Sequence, residues 1–144
     1  MSQAAVHRLL SGVRCLRKTP QMFGTNPLFA AQQRWLTFNV QDEKDFKDRV
    51  LENDKPVLVD FTASWCGPCK ILGPRLETIV AGYKGRVELA KVDIDEHQDL
   101  AIKFGISSVP TVIGMVKGEK KSQFVGVTED DLIEAFIEKL LPPS

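Results

Sequence analysis

Val57-Leu58-Val59-Asp60-Phe61-Thr62-Ala63-Ser64-Trp65-Cys66-Gly67-Pro68-Cys69 is the stretch on which the fold turns. Its first five residues form a near-continuous apolar run of strand formers, the pattern of a central strand covered on both faces. The strand delivers the chain to two cysteines separated by two residues. Beyond them, the spacing of Ile71, Leu72, Leu76, Ile79 and Val80 predicts a helix from Cys66 to about Tyr83. At the first turn of such a helix both sulfurs lie at one end within bonding reach, so the pair can close into a disulfide and reopen. A dithiol of that kind exchanges electrons with other proteins. The alternative is half of a zinc site, which needs two more ligands. The chain offers only Cys15, His7 and His97 beyond the pair, two of them near the N-terminus, and no metal is expected.

Working outward, Thr37-Phe38-Asn39-Val40 reads as a short strand, and Asp42 as the cap of a helix with Phe46, Val50 and Leu51 on one side. Pro74 removes the bond to the Lys70 carbonyl, which predicts a kink or split in the helix after the cysteines. Residues 87–93 read as a third strand, and Asp95 with Gln98 as a capping-box-like start of a helix carrying Leu100, Ala101 and Phe104. Residues 109–116 read as a strand, Lys117-Gly118-Glu119 as a turn and residues 122–125 as the hairpin partner. Thr128 caps a last helix in which Leu132, Ile133, Phe136, Ile137, Leu140 and Leu141 repeat at helical spacing until Pro142. The order of elements implies an α/β fold, a central mixed sheet with helices on both faces.

The 144 residues suffice for one domain with a real core, and 43% hydrophobic with 26% charged residues is ordinary for a globular protein. The zero net charge hides an asymmetry. Residues 1–35 carry Arg8, Arg14, Arg17, Lys18 and Arg34 and no acid, the first carboxylate being Asp42, so the head is +5 and the remainder −5. With its serines and threonines this is the composition of an organellar transit peptide, cleaved and disordered. Val6, Leu9, Leu10 and Val13 fall at helical spacing, as in a short basic amphipathic helix. The alternative is a disordered basic tail retained in the cytosol. No run approaches the roughly 18 apolar residues of a membrane span. Loss of the head removes Cys15 and leaves Cys66 and Cys69 alone, a cysteine usage that suits a reducing compartment.

Several separated motifs in order carry a resemblance. Val59-Asp60-Phe61, then Ala63-Ser64-Trp65-Cys66-Gly67-Pro68-Cys69-Lys70, Pro74, Lys91-Val92-Asp93, Val109-Pro110-Thr111 and Gly126 resemble the thioredoxin family from about residue 37 to residue 141, and with the basic head its mitochondrial members. The resemblance implies the thioredoxin fold with a five-stranded sheet over residues 36–144, and a transit peptide over residues 1–35. It implies a protein-disulfide reductase of the mitochondrial matrix with no bound cofactor, re-reduced from NADPH by a thioredoxin reductase and donating to peroxiredoxins and other disulfide-containing proteins. It implies further a monomer without nucleic-acid partners or stable membrane association. A non-catalytic binding or chaperone-like module on the same fold is the alternative.

Physical chemistry points to the same roles. Cys66 precedes the first helical turn, where unpaired N–H groups and the helix dipole favour an anion, so it is the expected nucleophile. Cys69, one turn in and nearer the core, is the expected resolving thiol, which attacks the mixed disulfide. Asp60 within the apolar run is at least partly buried, which raises its pKa and suits it to accept a proton from Cys69; the bland reading is a surface aspartate at a strand end. The resemblance places a buried aspartate there and a tuning lysine at Lys91, which alone reads as a surface charge. It also makes Pro110 a cis-proline facing the redox-active disulfide, against the trans bond expected for most X–Pro pairs. Trp65, Gly67, Pro68, Val109, Pro110 and Gly126 then form the substrate-docking surface, although Trp65 by itself reads as a core aromatic and Gly126 as a turn glycine. One departure is Thr62, where many bacterial members carry tryptophan, so packing beneath the site differs.

Overall fold

The structure is a computed structural model and describes residues 36–143. The basic head, with Cys15 and the transit-peptide expectation, lies outside the described residues, as does Ser144. The elements are β1 (Thr37–Asn39), α1 (Glu43–Phe46, continuing as a π-helical turn, Lys47–Leu51), β2 (Val57–Thr62), α2 (Gly67–Gly82), β3 (Glu88–Asp93), α3 (Gln98–Lys103), β4 (Thr111–Val116), β5 (Glu119–Val125) and α4 (Asp130–Glu138). They build the expected mixed sheet of five strands in the order β1-β3-β2-β4-β5. β1 and β2 run parallel to β3, whereas β4 is antiparallel to both β2 and β5. β2 is therefore bonded along both edges, and every residue of Val57-Leu58-Val59-Asp60-Phe61 is buried, as an apolar run in a doubly covered strand requires.

Alternation along β2 feeds two cores. Val57, Val59 and Phe61 pack with Phe46 and Val50 of α1 and Leu100 of α3 on one face. Leu58 packs on the other with Leu72, Leu76 and Val80 of α2 and Ile133 and Ile137 of α4. Each large side chain buried this fully contributes about 1.5–3 kcal/mol, and together they clamp the sheet between two helical layers. No helix among the described residues is long and apolar enough to cross a membrane.

The local differences from expectation have physical causes. Asp42 caps α1 as expected, its Oδ1 accepting from the Asp45 amide at 2.7 Å. α2 is not split at Pro74: Lys70 and Pro74 are both exposed, so the carbonyl left without its helical donor lies on the wet side. Asp95 does not cap α3; the N-cap is His97, whose ring is instead bonded to the Val40 carbonyl at 2.9 Å. Nor does Thr128 cap α4, which starts behind Glu129 without a side-chain cap. β4 begins at Thr111 rather than Val109 because Pro110 has no N–H to give to a ladder. β5 begins at Glu119, leaving only Lys117 and Gly118 in the turn, with φ of 49° and 76°. That is the left-handed backbone a two-residue hairpin needs.

Candidate active site

Beyond Thr62 the chain leaves the sheet, and the Cys66 amide bonds back to the Ala63 carbonyl at 3.2 Å, so that Cys66 arrives as the N-cap of α2. Its Sγ accepts from the Cys69 amide at 3.2 Å, in the place a serine or aspartate oxygen takes in other caps. Pro68 fits the first helical turn because its missing N–H would have had no helical acceptor. Cys66 and Cys69 are joined as a disulfide with their Cα atoms 5.4 Å apart. Both are buried, in a small cluster with Ala63 against which Ile94 and Val109 pack.

Asp60 is only 2% exposed, and its Oδ1 has no hydrogen-bond partner. Burial pushes its carboxyl from the ordinary 3.8 up to about 6; the Lys91 charge draws it down and the Glu77 charge pushes it further up. Lys91 is the residue opposite Asp60 in the β2–β3 ladder. Among the described residues its ammonium forms an ion pair with Glu77 of α2 and none with Asp60.

The docking candidates gather unevenly. Trp65 is 66% exposed rather than a core aromatic, and its indole Nε1 donates to Asp95 Oδ2 at 2.9 Å. Gly67 and Pro68 are exposed beside the buried cysteines, and Val109 touches the cysteine cluster. The Val109–Pro110 bond is cis, and the Pro110 carbonyl accepts from the Gly126 amide at 2.8 Å. Gly126 has φ of +84°, a backbone that side chains resist. Thr62, in place of the bulkier residue, is half-buried, and its carbonyl accepts from the Ile94 amide at 3.0 Å. Among the described residues no group of three or more His, Cys, Asp or Glu is placed to hold a metal.

Three neighbours of the site were not evident from the sequence: Asp95, Glu77 and Ile94. Glu77 carried a usable signal, because Cys69, Gly73 and Glu77 follow one another at intervals of four along α2 and so share a stripe. Asp95 carried none, lying thirty residues from Trp65.

The sequence model described as Thioredoxin matches residues 37–139. The mitochondrial thioredoxin of Bos taurus is 56% identical over 105 residues, which is 73% of this chain and 63% of that protein. That of Mus musculus is 57% identical over the same shares, so the match spans somewhat under two thirds of these relatives' length. A protein named probable thioredoxin-2 from Caenorhabditis elegans is 48% identical over 104 residues, 72% of each chain. Among solved structures, a mutant thioredoxin from Halobacterium salinarum superposes with a TM-score of 0.68 at 34% identity, covering 75% of this chain and 93% of that one. With fold and sequence both matching over the same hundred or so residues, the chain belongs to the thioredoxin family.

Proposed function

We propose that the chain is a protein-disulfide reductase that works by dithiol–disulfide exchange. The observation that carries this reading is the cysteine pair itself, closed as a disulfide across the N-terminus of α2 with Cys66 as the cap. In the reduced protein the Cys66 thiolate, favoured by the helix N-terminus, attacks one sulfur of a substrate disulfide; a mixed disulfide forms and one substrate thiolate leaves. Cys69 then gives its proton to Asp60, and its thiolate attacks Cys66 Sγ. The second substrate thiolate departs, and the Cys66–Cys69 disulfide remains. A base near neutrality is suited to that step, which the elevated pKa of the buried Asp60 supports, with Lys91 tuning it.

The substrate strand is read as lying on Trp65, Gly67, Pro68, Val109, Pro110 and Gly126. Resetting the disulfide takes two electrons, supplied from NADPH through a thioredoxin reductase, with peroxiredoxins and other disulfide proteins as acceptors and no cofactor bound to the chain itself. The mitochondrial names of the relatives and the acid-free basic head support a transit peptide over residues 1–35 and a matrix location.

Insulin-disulfide reduction by the protein and by Cys66→Ser tests the chemistry: the variant is expected to be inactive, and survival of activity overturns the catalytic reading in favour of a binding module. Equilibration with glutathione tests direction. A pair held mostly reduced at an ER-like poise contradicts a reductase.

A further inference from the structure

The stripe on α2 that starts at the resolving cysteine passes through Gly73 to Glu77. Gly73 is buried, and the Lys91 Nζ lies 3.8 Å from where a Cβ on Gly73 would stand. The lysine thus crosses the helix at the residue without a side chain. Lys91 begins opposite Asp60 in the ladder, with its side chain on the same face of the sheet as Asp60, yet the ammonium ends on Glu77 Oε1. That outer end is wetter, Lys91 and Glu77 side chains being 25% and 45% exposed against 2% for Asp60. The buried Oδ1 of Asp60 meanwhile has no partner, although a donor with a flexible stem starts from the neighbouring strand.

We propose that Glu77 is a positioning residue that holds the Lys91 ammonium at the outer end of this stripe, away from the buried carboxyl of Asp60. The charged groups acting on Asp60 are Lys91 from β3 and Glu77 from α2. From β4 the ladder presents Val112, and α4 brings the apolar Ile133 and Ile137 to this layer. Without Glu77 the ammonium is free to swing back toward Asp60, the residue opposite it in the ladder, and an opposite charge at close range favours the ionised form of Asp60. Glu77 acts through Lys91 and touches no reacting atom. The inference rests on the reading of Asp60 as proton acceptor only for its kinetic consequence.

The test is a carbon-13 titration of the Asp60 carboxyl in the oxidised full-length protein. In Glu77→Gln the midpoint is expected to fall by about one pH unit, in Glu77→Asp to return most of the way, and in Lys91→Met to lose most of its sensitivity to Glu77→Gln. An unchanged midpoint in Glu77→Gln overturns the proposal. So does an equal fall with and without the lysine, because direct repulsion by Glu77 then accounts for everything. The pH profile of release from the mixed disulfide, read in single turnovers, separates the two ideas. If the titration moves and the profile does not, Lys91 is positioned as stated and Asp60 is not the base.

Discussion

The indole of Trp65 is tied to the carboxylate of Asp95 by a 2.9 Å hydrogen bond although the ring is two-thirds exposed. A large aromatic standing in water is normally free to change rotamer; here a charge-assisted bond from the loop after β3 fixes it beside the cysteines. Ring and carboxylate are both surface groups, so the bond orients the ring more than it stabilises the fold.

Asp95→Ala is therefore expected to change stability by less than about 1 kcal/mol while raising the KM for a protein disulfide several-fold at nearly constant kcat. Steady-state kinetics with a protein substrate check it, and an unaltered KM removes Trp65 orientation from the docking role.

Cys69→Ser leaves the Cys66 cap in place but takes away the sulfur proposed to resolve the mixed disulfide. Incubation of the reduced variant with a disulfide protein is expected to accumulate a covalent one-to-one adduct through Cys66, seen by non-reducing mass spectrometry and released by dithiothreitol. Failure to trap any adduct would contradict the division of roles between the two sulfurs.

Asp60→Asn is expected to stabilise the protein at neutral pH. The folded-state pKa of about 6 lies above the ordinary 3.8, so the native state binds the proton more tightly than the unfolded chain. The favourable contribution is whole below about 3.8 and is lost as pH rises through about 6. A carboxyl raised this far above its ordinary value carries a differential of about 3 kcal/mol between its two protonation states. Urea denaturation of the oxidised protein should show the asparagine variant more stable by about 2–3 kcal/mol at pH 7.5 and nearly level with the parent at pH 4. The same substitution should slow release from the mixed disulfide more than its formation.

Gly118→Ala tests the β4–β5 hairpin. Gly118 has φ of +76°, and an added Cβ would stand 2.7 Å from the Leu51 carbonyl oxygen at the end of α1, a contact that only backbone movement relieves. A loss of about 2–4 kcal/mol is expected, since strain of this kind adds to the cost of left-handed backbone. It should be visible as a lowered urea midpoint with an unchanged m-value, and with the Cys66–Cys69 exchange intact in the folded fraction.

How far the molecule was legible in its sequence varies with the range of the interaction. β2 was plain because burial on both faces leaves an apolar run broken only by Asp60, and the Cys66–Cys69 pair because its partners are three residues apart in the chain. Caps were harder. Asp95 has the composition of a cap, but tertiary structure recruits its side chain to Trp65. Val109 has strand propensity, yet β4 opens two residues later, because the missing N–H of Pro110 decides where the ladder begins. Glu77 reads as one more solvated charge on a helix until β3 sets Lys91 in reach of it.

The cysteines follow the central strand of the sheet, with β3 on one side of β2 and β4 on the other. While a client is covalently tethered at Cys66, any tug from its tumbling or partial unfolding runs back along β2 and loads both ladders in shear at once. A strand gripped on two edges yields only when many rungs break together, so the load is spread over two ladders rather than concentrated on one. The two sulfurs are in this sense anchored to the middle of the sheet and not to its rim.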